Sequence, residues 1–204
     1  MTNENKLPVL ADLYSDTELK IAQNELNVLV NAPPPAGWLK DHPFAKKDVI
    51  IEGKKVKVPI KFIPVERIEW LLTRIFIRWQ LEIKQVQIIA NAVSVTVRLH
   101  YQDVVTKEML WQDGIGAVAL QVDSGAGAIE FDKIKSSAVM IAAPAAESYA
   151  FKDAAEKIGK LFGKDINRAT HIDYTNLIGS IPKEEKENKI KEMFEDEPNT
   201  ESNE

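Results

Sequence analysis

The sequence predicts an α+β domain in which an antiparallel β-meander of three to four strands packs with helices. Several stretches alternate apolar and polar residues, which is typical of half-buried strands. Others place apolar residues at the spacing of one helix face, and a long alanine-rich stretch follows the strands. The alternating stretches cover 48–63, 78–90 and 93–102, and the helical stretches cover 16–30, 64–76 and 131–163.

The first predicted element is an amphipathic helix near the start of the chain. Apolar residues recur at helical spacing over 16–30, and Ser15 or Asp16 is available as the N-cap. Three consecutive prolines within 31–37 end this helix, because proline cannot continue one. An irregular stretch over 38–47 is expected to lead into the strands.

A lysine-rich β-hairpin is predicted over 48–63, with Glu52 and Gly53 in its turn. Its second strand alternates lysines with Val56, Val58 and other apolar residues, so one face is expected to be buried. Pro64 suits the first turn of the helix that follows. The apolar stripe of that helix comprises Ile68, Leu71, Leu72 and Ile75.

Three strands are predicted to follow in sequence, over 78–90, 93–102 and 104–120. The alternation of the first strand changes phase near Gln85, which indicates a β-bulge there. Asn91 marks the turn to the second strand. Because the connections are short, we expect a meander of consecutive hairpins.

The C-terminal part of the sequence begins with a flexible loop over 124–128 and a helical segment over 131–163. A break is expected at Pro144, and Gly163 is placed just past the end of the helix. Alanine-rich helices pack closely on a sheet or on a neighbouring subunit. The predicted organisation is an N-terminal helix over 1–30, a core over 31–181 and an acidic, disordered tail over 182–204.

Composition excludes several classes of protein. The 204 residues are 45% hydrophobic, enough for one domain with a core. There are 0 cysteines and 3 widely spaced histidines, so neither a disulfide framework nor a zinc site is expected. The start resembles no signal peptide, and no apolar run reaches the roughly 18 residues of a membrane span. We therefore expect a soluble chain from a cytosol-like compartment.

Sequence motifs for catalysis are missing. No P-loop, G-x-S-x-G or H-E-x-x-H pattern occurs in the chain. Asp113 and Asp123 are the nearest candidates for a carboxylate cluster, but acids at turns or strand edges are the commoner explanation. We therefore expect no enzymatic activity, no cofactor and no metal.

The charge is distributed unevenly along the chain. The net charge of -5 argues, at first sight, against a protein that binds nucleic acid. Residues 182–204 hold 4 lysines and 9 acidic residues, whereas residues 40–98 hold 12 basic and 6 acidic ones. An acidic end and a basic body are therefore averaged in the total.

Two sets of lysines stand out in the basic body. In the second set, the spacing of Lys157, Lys160 and Lys164 puts these three lysines on one face of a predicted helix. Either set alone is typical of a solvated surface, whereas both together favour a basic groove for a phosphate backbone. The first set comprises Lys40, Lys46, Lys47, Lys54, Lys55, Lys57 and Lys61, and the second comprises Lys152, Lys157, Lys160 and Lys164.

Several local patterns share their order with one family. FIPVERIEWLLTRIF (62–76) follows a basic hairpin, and VSVTVRLHYQD (93–103) is a long strand leading to a turn. WQDGIG (111–116) and the lysine-rich FDKIKSSA (131–138) and YAFKDAAEKIGKLFG (149–163) come next. The chain thereby resembles the single-strand annealing proteins of the Rad-fifty-two type, in particular their phage-encoded Sak-like relatives. Asp153, Lys157, Lys160, Phe162 and Gly163 fall at family positions, whereas Glu156 stands where the family groove is usually basic and Gly159 interrupts the helix.

The resemblance implies a β-β-β-α annealing core that forms rings or open helical oligomers. Single-stranded DNA would lie in a basic groove and be annealed in homologous recombination and DNA repair, without ATP. By this resemblance Lys157 and Lys160 form the groove floor, and Lys54, Lys55 and Lys57 line the facing hairpin. Further DNA-binding candidates are Lys46, Lys47, Lys133, Lys135, Lys152 and Lys164. Trp38 and Phe44 are candidates for base stacking, with packing in the core or at a subunit contact as the alternative.

The acidic tail has two explanations. IKEMFEDE (190–197) mixes apolar and acidic residues and suits docking on a basic partner, such as a host or phage single-strand-binding protein or nuclease. It also suits competition with DNA for the groove, and the alternative is a solubilising tail. For the whole chain, the alternative function is a self-assembling structural or adaptor protein, such as one of a phage, that binds no nucleic acid.

Overall fold

The computed structural model describes residues 16–51, 53–125, 127 and 130–168, without the side chains of 43, 44 and 51. These residues fall in two compact units, which are represented by 16–32 and by 33–168. Ser15, Glu52, the Phe44 side chain and the predicted tail over 182–204, with IKEMFEDE, lie outside the described part. The element order is that of an α+β fold with an antiparallel meander, as predicted.

The first unit contains helix α1, Thr17–Val30. Asp16 is its N-cap, and the Asp16 carboxylate accepts hydrogen bonds from the backbone N–H groups of Glu18 and Leu19 at 2.9 and 3.1 Å. The helix buries Leu26 and Val30 from its predicted apolar face. The predicted helix is therefore confirmed, and Asp16 supplies the cap.

The second unit begins with the hairpin β1–β2, Lys40–Ile51 and Lys54–Phe62. Strand β1 begins well before the predicted hairpin, so the expectation of irregular structure over 40–47 is wrong. The pairing register shifts between Asp41 and Lys46, and this irregularity hides the alternation that would have indicated a strand. Gly53 supplies a backbone φ of 76° at the turn, a conformation that favours glycine.

Helix α2, Val65–Ile75, follows Pro64 as predicted. It buries the complete apolar stripe expected from the sequence. The buried stripe comprises Ile68, Leu71, Leu72 and Ile75. The period of 3.6 residues therefore identified both this helix and its inward face.

Three strands then form one antiparallel sheet in the order β3-β4-β5, which are Trp79–Ile89, Ala92–Gln102 and Met109–Ala119. The register of β3 shifts between Ile83 and Gln85, which confirms the predicted bulge. Strand β5 begins later than predicted because residues 104–106 form a turn. The Asp103 carboxylate accepts the backbone N–H groups of Val105 and Thr106 and so stabilises this turn.

The long helix α3, Ala138–Glu156, packs across β4 and β5. Its contact stripe consists of alanines at every fourth position, all buried. A Cβ built on Gly114 would lie 2.1 Å from the Ala150 carbonyl oxygen, and one on Gly116 would lie 2.2 Å from that of Ala146. Helix and strand are therefore so close that β5 tolerates only glycine at these two positions. The buried alanines are Ala138, Ala142, Ala146, Ala150 and Ala154.

The predicted helix over 131–163 differs from the structure at both ends. A short 3-10 turn, Phe131–Lys133, precedes α3, and α3 itself ends at Glu156. Pro144 lies inside the helix without breaking it. The carbonyl that loses its partner belongs to Met140, which is 78% exposed, so water can satisfy it. Beyond Gly159 the chain forms a second 3-10 turn, Lys160–Phe162.

Candidate nucleic-acid interface

The register of the hairpin divides its lysines between two faces. Successive side chains of a strand point to opposite sides, so Lys55, Lys57 and Lys61 share one face and Lys54 lies on the other. Lys46 pairs with Pro59 and belongs to the first face, whereas Lys47 pairs with Val58 and belongs to the second. We call the first set the basic hairpin face. It comprises Lys46, Lys55, Lys57 and Lys61.

The basic hairpin face is open to solvent. All four of its lysines are exposed. Two acids lie among them: Asp48 pairs opposite Lys57, and the Asp41 carboxylate lies 3.4 Å from the Lys61 ammonium. Positive charge remains in excess on this face. The expectation that Lys54, Lys55 and Lys57 line one surface together needs correction, since Lys54 points to the opposite side.

Lys47 and Asn167 tie the hairpin to the turn that follows α3. The Lys47 ammonium donates a hydrogen bond to the Asn167 carbonyl oxygen at 2.6 Å. The Asn167 side-chain amide accepts the Lys61 backbone N–H at 2.8 Å and donates to the Lys61 carbonyl at 2.7 Å. Lys47 thus stabilises the fold. Asn167 supplies hydrogen-bond partners for the Lys61 backbone N–H and carbonyl groups of β2.

Lys157 is engaged at the outer edge of β5. Its ammonium donates a short hydrogen bond to the Asp113 carbonyl oxygen and lies 3.2 Å from the Asp153 carboxylate. An ammonium has three N–H donors, and these two contacts use two of them. The Lys157 side chain is about half exposed. The residue expected on the floor of a DNA groove therefore also holds the edge of the sheet.

Lys157, Lys160 and Lys164 do not share one helix face. Because α3 ends at Glu156, Lys160 lies in the second 3-10 turn and Lys164 in the turn after it. The prediction that these three lysines share one face of a helix is therefore wrong. Chain reversal after α3 instead creates an open cleft of about 260 Å³, which we call the post-helix cleft. Its charged lining residues are Lys157, Lys164, Arg168, Asp153, Glu156 and Asp165.

Two carboxylates of the post-helix cleft differ in their environments. Asp165 is buried and lies 2.9 Å from the Arg168 guanidinium. Glu156 keeps part of its surface in solvent, but burial of the rest, followed by the nearby Asp153 carboxylate, raises the pKa of Glu156 to about 7. The cleft therefore contains a carboxyl group that titrates near neutral pH.

Lys152 is packed between aromatic rings. Its ammonium lies 4.5 Å from the centroid of the Phe62 ring and 5.0 Å from that of Tyr149. Burial lowers the pKa of Lys152. The Tyr149 hydroxyl lies 3.0 Å from His42 Nε2, so the cluster joins the base of the hairpin to α3. Lys152 therefore contributes to the packing between the hairpin and α3.

The other predicted residues lie outside the two strands of the hairpin. Trp38 is 6% exposed, packs edge-on to Trp70 at 5.7 Å and has the Arg67 guanidinium over its ring, so it belongs to the core. The expectation that Trp38 stacks on a base is therefore wrong, and the packing alternative holds. Lys133 pairs with Glu130 at 3.1 Å, and Lys135 is exposed between the 3-10 turn and α3.

The sheet face opposite α3 carries a charged pair that the sequence did not single out. Arg98 forms two hydrogen bonds with Asp113, at 2.7 and 2.8 Å, and its guanidinium lies 4.0 Å from the Trp111 ring centroid. The bond to Arg98 lowers the pKa of Asp113. Asp113, one of the two candidate catalytic acids, therefore serves a cross-strand ion pair. Arg98 and Asp113 face each other across β4 and β5. Aligning the two predicted strands would have been the way to find this pair from the sequence.

No protein-family model matches the chain, and no curated protein matches it either. Over the residues that the structure describes, no helix is long and apolar enough to cross a membrane. Within the same residues, no group of three or more potential ligand side chains is arranged to hold a metal ion.

Proposed function

We propose that this protein binds single-stranded DNA through its phosphate backbone and anneals complementary strands without ATP, as a homo-oligomer in recombination and repair. The observation that supports it most is the basic hairpin face. Alternate residues along a strand lie about 7 Å apart, so Lys55 and Lys57 present ammonium groups in a row. Such a row suits a backbone that carries a regular series of phosphates.

The chemistry of this face favours phosphates over bases. Between Lys46 and Lys61 its other members are Asp48, Ile50 and Pro59, and none of these reads base edges in the manner of a bidentate arginine or amide. Lysine is a compact point charge that attracts any phosphate. Binding is therefore independent of sequence and weakens steeply with salt. Bases left uncontacted remain available for pairing with a second strand.

The annealing step and the oligomer rest on the family resemblance. The hairpin, α2, the meander β3-β4-β5 and α3 follow one another in the order that the resemblance implies. Charge neutralisation along an extended strand lowers the repulsion between two strands that must pair. ATP hydrolysis is not needed for this, because base pairing itself supplies the driving force.

Adjacent lysines on opposite hairpin faces provide a matched test. Lys55→Glu reverses a charge on the basic hairpin face, and Lys54→Glu makes the same change one residue away on the other face. We expect Lys55→Glu to weaken binding of a fluorescent dT oligonucleotide about tenfold at low salt and Lys54→Glu about twofold. Equal effects would show that the face is unimportant. Absence of binding by the unaltered protein would refute the function.

A structural or adaptor role is the second candidate, and exposed apolar residues support it. Ile83, Val86 and Ile88 on β3 are exposed, as is Met140 on α3. Apolar surface of this kind is typical of protein contacts. A protein of this class would assemble normally and show no salt-sensitive binding of DNA. The oligonucleotide assay therefore separates it from an annealing protein.

A further inference from the structure

The post-helix cleft balances three positive groups against three negative ones. Lys157, Lys164 and Arg168 line it together with Asp153, Glu156 and Asp165. With every group ionised, the lining is neutral overall and attracts an anion weakly. Loss of a single negative charge would leave one positive charge in excess, next to side chains that donate hydrogen bonds to phosphate.

The absence of a side chain at Gly163 leaves room for the Glu156 side chain beside this turn. A Cβ on Gly163 would lie 3.2 Å from Glu156 Cγ and 3.5 Å from its carboxylate oxygen Oε1. Gly163 also has a φ of 113°, which side chains of L-residues rarely adopt. Glycine at position 163 therefore lets the turn pass close to the Glu156 side chain.

Each of the two aspartates of the cleft lies close to a cationic side chain. Asp153 accepts the Ile115 backbone N–H and lies near the Lys157 ammonium. Asp165 is paired with Arg168. Glu156 is the remaining carboxylate of the cleft, and its pKa is raised to about 7.

We propose that Glu156 controls, by gaining and losing one proton, whether the post-helix cleft accepts a phosphate group of single-stranded DNA. This inference rests on the proposed function and names a regulation of it. As a carboxylate, Glu156 keeps the cleft neutral and repels the phosphate. When it takes up a proton from solvent, Lys157, Lys164 and Arg168 outweigh the two remaining acids.

The titration of Glu156 falls in a useful range. A pKa of about 7 places the change of charge on Glu156 mainly between pH 6 and pH 8. The neighbours act in both directions: Asp153 raises this pKa, whereas Lys152, Arg168 and Lys157 lower it. A bound phosphate must raise the pKa of Glu156 further. The phosphate binds more tightly to the protonated form, so the proton in turn binds more tightly when phosphate is present.

The first experiment compares DNA binding at two pH values. Affinity for a fluorescent dT oligonucleotide is measured at pH 6 and pH 8, at one fixed ionic strength. For each protein, the affinity at pH 6 is divided by the affinity at pH 8. We expect this ratio to be about fivefold larger for the unaltered protein than for Glu156→Gln. Glu156→Gln should bind tightly at both pH values. Any pH effect that persists in Glu156→Gln measures other groups.

Glu69→Gln is the matched control. Glu69 is an exposed carboxylate on α2, and its replacement removes one negative charge without touching the cleft. This variant should keep the pH ratio of the unaltered protein. If Glu156→Gln also keeps that ratio while DNA still binds, the inference is wrong and the proposed function stands.

A second measurement tests the cleft without DNA. Inorganic pyrophosphate is titrated into the isotope-labelled protein, and the amide signals of Gly163 and Lys164 are followed by NMR at both pH values. Larger shifts at pH 6 in the unaltered protein, and equal shifts in Glu156→Gln, would support the control by Glu156 even if DNA binding fails. Absence of shifts at both pH values would overturn it.

Discussion

The carboxylate of Asp153 accepts the backbone N–H of Ile115 at 3.0 Å, so the last turn of α3 closes the outer edge of β5. Lys157, one helical turn later, donates to the Asp113 carbonyl on the same edge. An open strand edge is a template for pairing with another chain. Helix α3 therefore both covers the face of the sheet and satisfies part of its border.

Removal of the Asp153 carboxylate should destabilise the fold. Asp153→Ala leaves the Ile115 N–H without its acceptor and Lys157 without its ion-pair partner, and we expect a loss of about 1 to 2 kcal/mol of unfolding free energy. Asp153→Asn keeps an acceptor oxygen and should lose less. Urea denaturation measures both, and equal losses would contradict the role of the hydrogen bond.

The contact between β5 and α3 should not tolerate a methyl group. Gly114→Ala would place a Cβ 2.1 Å from the Ala150 carbonyl oxygen, and backbone on both sides must shift. We expect a loss of about 3 kcal/mol in unfolding free energy. Gly37→Ala is the control, because a Cβ there meets nothing within 4 Å. A small effect at Gly114 would show that helix and sheet can separate easily.

Stability should depend on pH through Glu156. The pKa of Glu156 in the folded protein is about 7, above its ordinary value of 4.5, so the fold binds this proton more tightly than the unfolded chain does. The resulting stabilisation is complete below pH 4.5 and is lost as the pH rises towards and through 7. The full shift corresponds to about 3 kcal/mol, and because solvent reaches the side chain we expect a stabilisation of about 1 to 3 kcal/mol.

Glu156→Gln provides the corresponding comparison. The amide carries no charge at any pH, so this variant should be more stable than the unaltered protein at pH 8 and nearly equal to it at pH 5. Thermal unfolding at the two pH values gives both differences. A constant difference would indicate that Glu156 does not titrate in this range.

The link between Asn167 and β2 should control local opening of the hairpin. Asn167→Ala removes the acceptor of the Lys61 N–H, and we expect hydrogen exchange at Lys61 to become about fivefold faster. Asn167→Asp keeps that acceptor and should retain most of the protection. Unchanged exchange in the alanine variant would show that the hairpin opens independently of this turn.

Periodicity and turn chemistry predicted most of the fold. Helix α2, the bulge before Gln85 and the meander are confirmed, because apolar spacing in these segments matches the geometry of the elements. The start of β1 was missed since a register shift interrupts its pattern. The end of α3 was placed too late because alanine and lysine favour helices on both sides of Gly159.

The candidate site was less predictable than the fold. Strand alternation was sufficient to separate Lys54 from Lys55, although the sequence interpretation grouped them. The contacts of Lys157 with β5 depend on how α3 crosses the sheet, and local sequence does not specify a crossing. The post-helix cleft arises from the chain reversal after Glu156 and joins residues that no motif links.

The lysines differ in how clearly a charge reversal tests their role in DNA binding. A double charge reversal at Lys157 and Lys160 would disturb the edge of β5, because Lys157 donates a hydrogen bond to Asp113. Loss of DNA binding in that variant would therefore have two explanations. Lys55, which is exposed near the hairpin tip, offers a cleaner test of charge alone.

Annealing of complementary oligonucleotides, with and without ATP and magnesium, tests the central proposal most directly. We predict that the protein accelerates annealing equally under both conditions, that Lys55→Glu reduces the rate about tenfold and that Lys54→Glu leaves it within about twofold. No acceleration at low salt, or acceleration that requires ATP, would contradict the proposal.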